Sequence, residues 1–180
     1  IVITGSPAMV SERAAWSETT AAWVRQAVEA GVPLLGVCYG HQLLAHALGG
    51  KVDYHPAGRE TGTQSVTLFD SAQDDPLFSQ LPKQFPAQLT HKQSVIELPP
   101  GAVLLGRSTF EPHQAFRVGK NAWGVQFHPE FNEQIMKAYL EVQYPDLETE
   151  GLDANALLSS VQPAPTASQL LRLFADWVIK

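Results

Sequence analysis

The chemistry of this chain centres on Cys38, its one cysteine. Cys38 lies in the sequence Gly-Val-Cys-Tyr-Gly (residues 36–40), between an apolar run and a helix-like segment. A Gly-x-nucleophile-x-Gly pattern at a strand-to-helix junction indicates a nucleophile elbow, which lifts the nucleophile to the carboxyl end of a sheet. The helix N-terminus there favours the thiolate, and the amide of Tyr39 can stabilise an oxyanion. The alternative is an unreactive, buried cysteine between two turn glycines.

His128 is the best placed of the six histidines to act as a base for that thiol. It follows the apolar run 123–127 and opens the sequence His-Pro-Glu, in which the proline disfavours helical geometry at the histidine. Glu130 can reach back to the imidazole, select its tautomer and stabilise the imidazolium. We therefore expect Cys38, His128 and Glu130 to act as nucleophile, base and orienting carboxylate. The alternative for His-Pro-Glu is a polar strand end without a catalytic role. A metal site is less well supported, because no second His or Cys lies at ligand spacing from His128.

Composition limits the classes of protein to which these residues can belong. The chain has 180 residues, of which 44% are hydrophobic and 17% charged, and this predicts one globular domain over 1–180. A net charge of −6 argues against a nucleic-acid surface, and no apolar run is long enough to span a bilayer. One cysteine and no visible signal sequence indicate a reducing, cytoplasmic location. No Gly-rich phosphate loop is present, so we expect no cofactor.

The elements that must position Cys38 alternate between strand and helix. Hydrophobic spacing predicts a strand at 1–4, a helix at 12–30, a strand at 34–37 and a helix at 41–48. Apolar strands that alternate with helices are typical of an α/β fold with a parallel sheet covered on both faces.

Shorter, β-like segments follow Lys51 and indicate additional, mostly antiparallel strands or an extension of the main sheet. These segments are 63–69, 87–90, 94–98, 102–107, 113–118 and 122–127. Helical turns are expected at 74–80, 131–142 and 168–179, and a polar connection with a short helix at 153–160 is expected between the last two. We therefore predict a three-layer, open, mostly parallel sheet flanked by helices, with additional antiparallel strands.

Two motifs in combination give the chain a family resemblance. Residues 36–42 (GVCYGHQ) resemble the nucleophile motif, and residues 124–130 (GVQFHPE) the His-x-Glu motif, of the class I, triad-type glutamine amidotransferases. The similarity runs from the Thr-Gly-Ser-Pro segment at 4–7 to Phe131 and is closest to glutaminase domains of the GMP synthase type. It implies a flavodoxin-like fold. Family members begin with further strand–helix units, so we expect the natural protein to be longer at its N-terminus.

The resemblance also implies roles for residues outside the triad. Ser6 and Tyr39 would supply the amides of the oxyanion hole, with Gly5 shaping the turn. The residues that match family positions around the substrate glutamine are Gln42, Arg59, Glu60, His91 and Gln93. Gln93 stands where the family has Asp, which leaves the fine substrate preference open.

The function implied by the resemblance is hydrolysis of glutamine to glutamate and ammonia through a γ-glutamyl thioester on Cys38. Any synthetase that receives the ammonia would be a separate chain, or absent. Three alternatives stay open: hydrolysis or transfer of other γ-glutamyl peptides or amides by the same triad, a catalytically idle binding or regulatory module, and a metal hydrolase.

Overall fold

A computed structural model describes residues 1–179 of the chain. Its strands are β1 (Val2–Ile3), β2 (Leu34–Val37), β3 (Lys51–Tyr54), β4 (Glu60–Leu68), β5 (Gln84–His91), β6 (Gln93–Glu97), β7 (Val103–Arg107), β8 (Ala115–Val118) and β9 (Ala122–Val125). Within these residues, seven strands form one sheet in the order β1-β2-β9-β8-β7-β4-β5, and β3 pairs with β6 in a separate two-stranded sheet.

The main sheet is mixed. The strand β2 runs parallel to β1 and β9, whereas the other four pairings in residues 1–179 are antiparallel. The predicted α/β class with flanking helices is confirmed, but parallel pairs are a minority rather than the expected majority. The reason is the connections after Lys51, which lack crossover helices, and a parallel pair needs such a crossover.

The helices are α1 (Ala15–Glu29), α2 (Tyr39–Ala47), α3 (Glu133–Val142), α4 (Tyr144–Thr149), α5 (Ala154–Ser160) and α6 (Pro165–Ile179). Most predicted helices are present with shifted ends. The helix α1 starts later than expected because Val10–Glu12 form a 3-10 turn that ends at Arg13 with a φ of 51°. Of the helices in residues 1–179, none combines the length and apolarity that crossing a bilayer requires.

Two short elements were not predicted from the sequence. The helix α4 lies in the expected polar connection, where Pro145 suits a helix start and Leu147 is buried. The strand β3 pairs with β6 although three of its four side chains are exposed, so it carries little hydrophobic signal.

Apolar side chains cover both faces of the main sheet. Alternation along β2 sends Leu34 into a core with α1 and α2, and Leu35 into a second core with α6. A third, smaller core joins α3, α4 and α5 through residues such as Met136 and Leu147. The sheet is therefore the middle of three layers, as predicted.

His41 is a fully buried histidine in the first turn of α2. Its ring lies 4.8 Å from that of Phe116, and a Cβ added at Gly124 would lie 2.7 Å from its Nδ1. Burial lowers the pKa of His41 to about 3, although the carbonyls of Gly124 and His113 partly oppose this shift. His41 is therefore a neutral core residue at physiological pH.

This buried imidazole predicts acid sensitivity of the fold. The unfolded chain protonates His41 below pH 6.5, whereas the folded chain resists protonation down to about 3. The free energy of unfolding should therefore fall by about 1.4 kcal/mol per pH unit below 6.5 from this residue alone. Urea unfolding between pH 5 and 7.5 should show a shallower pH dependence for His41→Met than for the wild type. Equal slopes would contradict the buried neutral state.

Candidate active site

Cys38 occupies a strained turn between β2 and α2. Its φ of 51° and ψ of −103° are unusual for a residue with a side chain. A Cβ added at Gly36 would overlap the backbone of Gly40, and one added at Gly40 would overlap the carbonyl of Ile3. Strand, turn and helix thus pack with no room for side chains at the two glycines, and the elbow geometry expected from the sequence is present.

His128 lies beside Cys38 because β2 and β9 are neighbouring parallel strands. Val37 pairs with Val125, and the amide of Cys38 donates to the Val125 carbonyl at 2.8 Å. A Cβ added at Gly5 would lie 2.9 Å from Cε1 of His128 and 3.8 Å from Cβ of Cys38. The two side chains therefore flank Gly5, whose lack of a side chain lets them approach.

Glu130 orients the imidazole of His128. Its Oε1 lies 2.7 Å from Nδ1 of His128, and the ring of Phe131 stacks on the imidazole at 4.1 Å. Nε2 of His128 has no partner with hydrogen-bond geometry in residues 1–179, so it is the nitrogen available to the thiol. Burial by itself lowers the pKa of His128, but the nearby Cys38 thiol and the hydrogen-bonded Glu130 carboxylate outweigh burial and raise this pKa to about 9.

Two residues that line the cavity near Cys38 have backbone amides without a hydrogen-bond partner in residues 1–179. Neither the amide of Ser6 nor that of Tyr39 is used in a hydrogen bond within residues 1–179, and Tyr39 is the first residue of α2. The hydroxyl of Ser6 accepts from the amide of Ala8 at 3.1 Å, which fixes the turn. Ser6 and Tyr39 line the same cavity of about 460 Å³ as Cys38, His128 and Glu130.

The cavity thus combines a thiol, an oriented imidazole and unshared amides, which suits acyl transfer through a covalent intermediate. Comparison with known proteins points the same way. Residues 1–144 match the family model described as glutamine amidotransferase class-I.

The chain belongs to this family.

Curated relatives include glutamine-hydrolyzing GMP synthases. That of Thermosipho africanus is 36% identical over 147 residues, which are 78% of this chain and 26% of the relative. That of Thermomicrobium roseum is 40% identical over 130 residues, 72% of this chain and 23% of the relative. The chain therefore spans about a quarter of the length of these relatives.

Solved structures of glutamine amidotransferases share the fold. One from Thermotoga maritima has a TM-score of 0.81 at 24% identity. The match covers 99% of this chain and 78% of the Thermotoga chain. One from Methylobacillus flagellatus has a TM-score of 0.79 at 26% identity. The match covers 97% of this chain and 74% of the Methylobacillus chain. These matches support the α/β fold of the class I amidotransferases.

The five residues expected around the substrate occupy different positions in this amidotransferase fold. Gln42, Arg59, His91 and Gln93 line the cavity, whereas Glu60 is not among the lining residues. Glu60 lies buried behind the wall, with its carboxylate 2.8 Å from Nε2 of His91 and 2.6 Å from the hydroxyl of Ser108. A buried carboxylate needs such partners, so Glu60 holds His91 rather than contacting the cavity.

Arg59 and Gln93 line the cavity but are engaged with other protein groups. The Arg59 guanidinium donates to both carboxylate oxygens of Glu150 at 2.8 and 2.9 Å, and to Gln143 at 2.9 Å. This contact, together with Lys92, lowers the pKa of Glu150 to about 2. The side chain of Gln93 accepts from the amide of Ser11 at 3.3 Å and donates to its hydroxyl.

Sequence reasoning missed several residues of the cavity. Tyr139, Gln143 and Asp146 line the wall that α3, α4 and the residue between them provide. The predicted helix ends at residue 142, so the sequence carries no signal that α4 would extend this wall of the cavity. The carbonyl of Thr90, which lies 3.8 Å from Sγ of Cys38, left no signal either. In residues 1–179 no group of three or more His, Cys, Asp or Glu side chains is arranged to hold a metal ion.

The strained backbone at Cys38 makes a stability prediction. Cys38→Gly should be more stable than Cys38→Ala by about 1 kcal/mol, because glycine tolerates positive φ and relieves strain that alanine retains. The exposed Ala22 in α1 is a matched control, at which glycine should destabilise by about 1 kcal/mol. Urea unfolding of the three variants measures both effects. A Cys38→Gly variant less stable than Cys38→Ala would show that the turn is unstrained.

Proposed function

We propose that the chain is a glutaminase that hydrolyses the side-chain amide of glutamine through a γ-glutamyl thioester on Cys38. The observation that carries this proposal is the shared cavity, in which Cys38 and the Glu130-oriented His128 lie beside the free amides of Ser6 and Tyr39. Membership of the class I amidotransferase family supports the choice of glutamine.

In the first step, the thiolate of Cys38 attacks the amide carbon of glutamine. The pKa of His128, raised to about 9, keeps it an imidazolium at neutral pH, so a proton is in place on the side facing the thiol. The amides of Ser6 and Tyr39 stabilise the oxyanion of the tetrahedral intermediate. His128 then gives its proton to the departing nitrogen, the C–N bond breaks, and ammonia leaves the γ-glutamyl thioester.

In the second step, neutral His128 removes a proton from water, and the hydroxide attacks the thioester carbon. The same amides stabilise the second oxyanion. Collapse of this intermediate breaks the C–S bond, releases glutamate and restores the thiolate–imidazolium pair. Glu130 holds the ring throughout, because its contact with Nδ1 fixes the tautomer that leaves Nε2 for the proton transfers.

The ammonia would pass to a synthetase unit outside the 180 residues of this chain. The curated relatives are named glutamine-hydrolyzing GMP synthases, and this chain spans about a quarter of each. A reducing compartment such as the cytoplasm suits the mechanism, since the one thiol of the chain must stay reduced.

The proposal predicts that the full-length protein releases equimolar ammonia and glutamate from glutamine. Cys38→Ala and His128→Gln should each lower the rate by more than about 10³-fold, because the covalent step loses its nucleophile or its proton donor. His46→Gln is the matched control, since His46 pairs with Glu18 away from the cavity and should retain wild-type activity.

A Cys38→Ala protein that still releases ammonia at the wild-type rate would refute the assignment. Parallel assays with a γ-glutamyl dipeptide separate the nearest alternative. Faster turnover of the dipeptide than of glutamine would identify a γ-glutamyl peptide hydrolase instead. A folded wild-type protein that turns over neither compound would indicate a binding or regulatory module.

A further inference from the structure

Gln126 is a buried polar residue that the mechanism above does not use. It follows β9 directly, is fully buried and is not among the residues that line the cavity. Its Nε2 has no hydrogen-bond partner in residues 1–179. An unpaired buried amide is unfavourable, and an apolar side chain of similar shape would avoid that cost. The position therefore carries a polar group at the expense of stability.

The one side-chain partner of Gln126 in residues 1–179 is Gln42, a residue of the cavity wall. Nε2 of Gln42 lies 2.7 Å from the carbonyl of Gln93 and 3.0 Å from Oε1 of Gln126. A backbone carbonyl can only accept, so the atom of Gln42 that faces it must be the nitrogen. Because the same nitrogen faces Gln126, the atom of Gln126 there must be the oxygen. The contacts thus determine the orientation of both amides.

The carbonyl of Gln93 is itself held in place. Nδ1 of His91 lies 2.9 Å from it, so His91 and Gln42 converge on one acceptor. Both protons of the Gln42 amide are then engaged, one with Gln93 and one with Gln126. Within residues 1–179 no hydrogen bond uses Oε1 of Gln42, which is therefore the free polar atom that this side chain offers to the cavity.

We propose that Gln126 is a positioning residue that holds the amide of Gln42 with its oxygen toward the substrate. The wall then presents a hydrogen-bond acceptor, which selects a substrate with an N–H group at this point, such as the ammonium or amide nitrogen of a γ-glutamyl compound. This inference rests on the proposed function. It also explains why a partly unpaired glutamine occupies a site where an apolar residue would pack.

Labelling of Cys38 tests this role without turnover. A chloroketone analogue of glutamine should alkylate the one thiol of the chain with saturable kinetics, whereas iodoacetamide reports the reactivity of the thiol alone. Gln126→Met should raise the half-saturating concentration of the analogue about fivefold to tenfold, as expected for one lost hydrogen bond. The limiting rate and the iodoacetamide rate should not change, and the thermal stability should be equal or higher.

Three further variants make the test specific. Gln126→Glu retains an acceptor at the same place and should return the half-saturating concentration toward the wild-type value. Gln88→Met removes an equally buried glutamine that bonds to Thr63 and Gln162, and it should leave the half-saturating concentration unchanged. In a Gln42→Met background, Gln126→Met should have no further effect, because Gln126 acts through Gln42.

The outcomes separate this inference from the function on which it rests. Saturable labelling of the wild type with an unchanged half-saturating concentration in Gln126→Met would overturn the positioning role alone. The positioning role would also be overturned if Gln126→Met raised the half-saturating concentration further in the Gln42→Met background. This second comparison is valid even if Gln126→Met changes the stability of the protein. A wild-type protein that the analogue labels without saturation would overturn the proposed function and this inference together.

Discussion

The parallel pairing of β2 with β9 is the constraint on which the site depends. Parallel strands end at the same edge of a sheet, so the register that pairs Val37 with Val125 brings Cys38 and the His128 segment to one place. Residues that lie ninety positions apart in sequence thereby face each other across Gly5. A shift of this register by one residue would turn the side chains of β9 to the opposite face and remove the base from the nucleophile.

The site is assembled at the expense of local stability. Cys38 has a backbone conformation that side chains disfavour, and the turn around it excludes any side chain at Gly36 and Gly40. The amide of Gln126 has an unpaired nitrogen in the interior. These unfavourable features lie within a few residues of the cavity. The apolar cores on the two faces of the sheet supply the stability that offsets their cost.

Much of the fold and of the candidate triad could be predicted from the sequence, since both rest on local signals. The strand 34–37 and the glycines around Cys38 specify the elbow, and the His-Pro-Glu sequence specifies the imidazole and its carboxylate. The sequence predicts mostly antiparallel strands after Lys51, or an extension of the main sheet, but not the order in which the strands pair, because short strands give no sign of their partners. The sequence motifs place both Glu60 and His91 near the substrate. They could not show that Glu60 lies buried behind His91, because that arrangement depends on long-range packing.

The proposed chemistry requires Cys38 and His128 to interact directly, and titration of the His128 imidazole by NMR tests this interaction. The resonance is assigned from its loss in His128→Gln. The wild-type imidazole should titrate with a pKa of about 9, because Cys38 and Glu130 together outweigh burial. In Cys38→Ala the pKa should fall, since Glu130 alone remains to oppose burial. A pKa near 6.5 that is the same in both proteins would show that Cys38 does not act on His128.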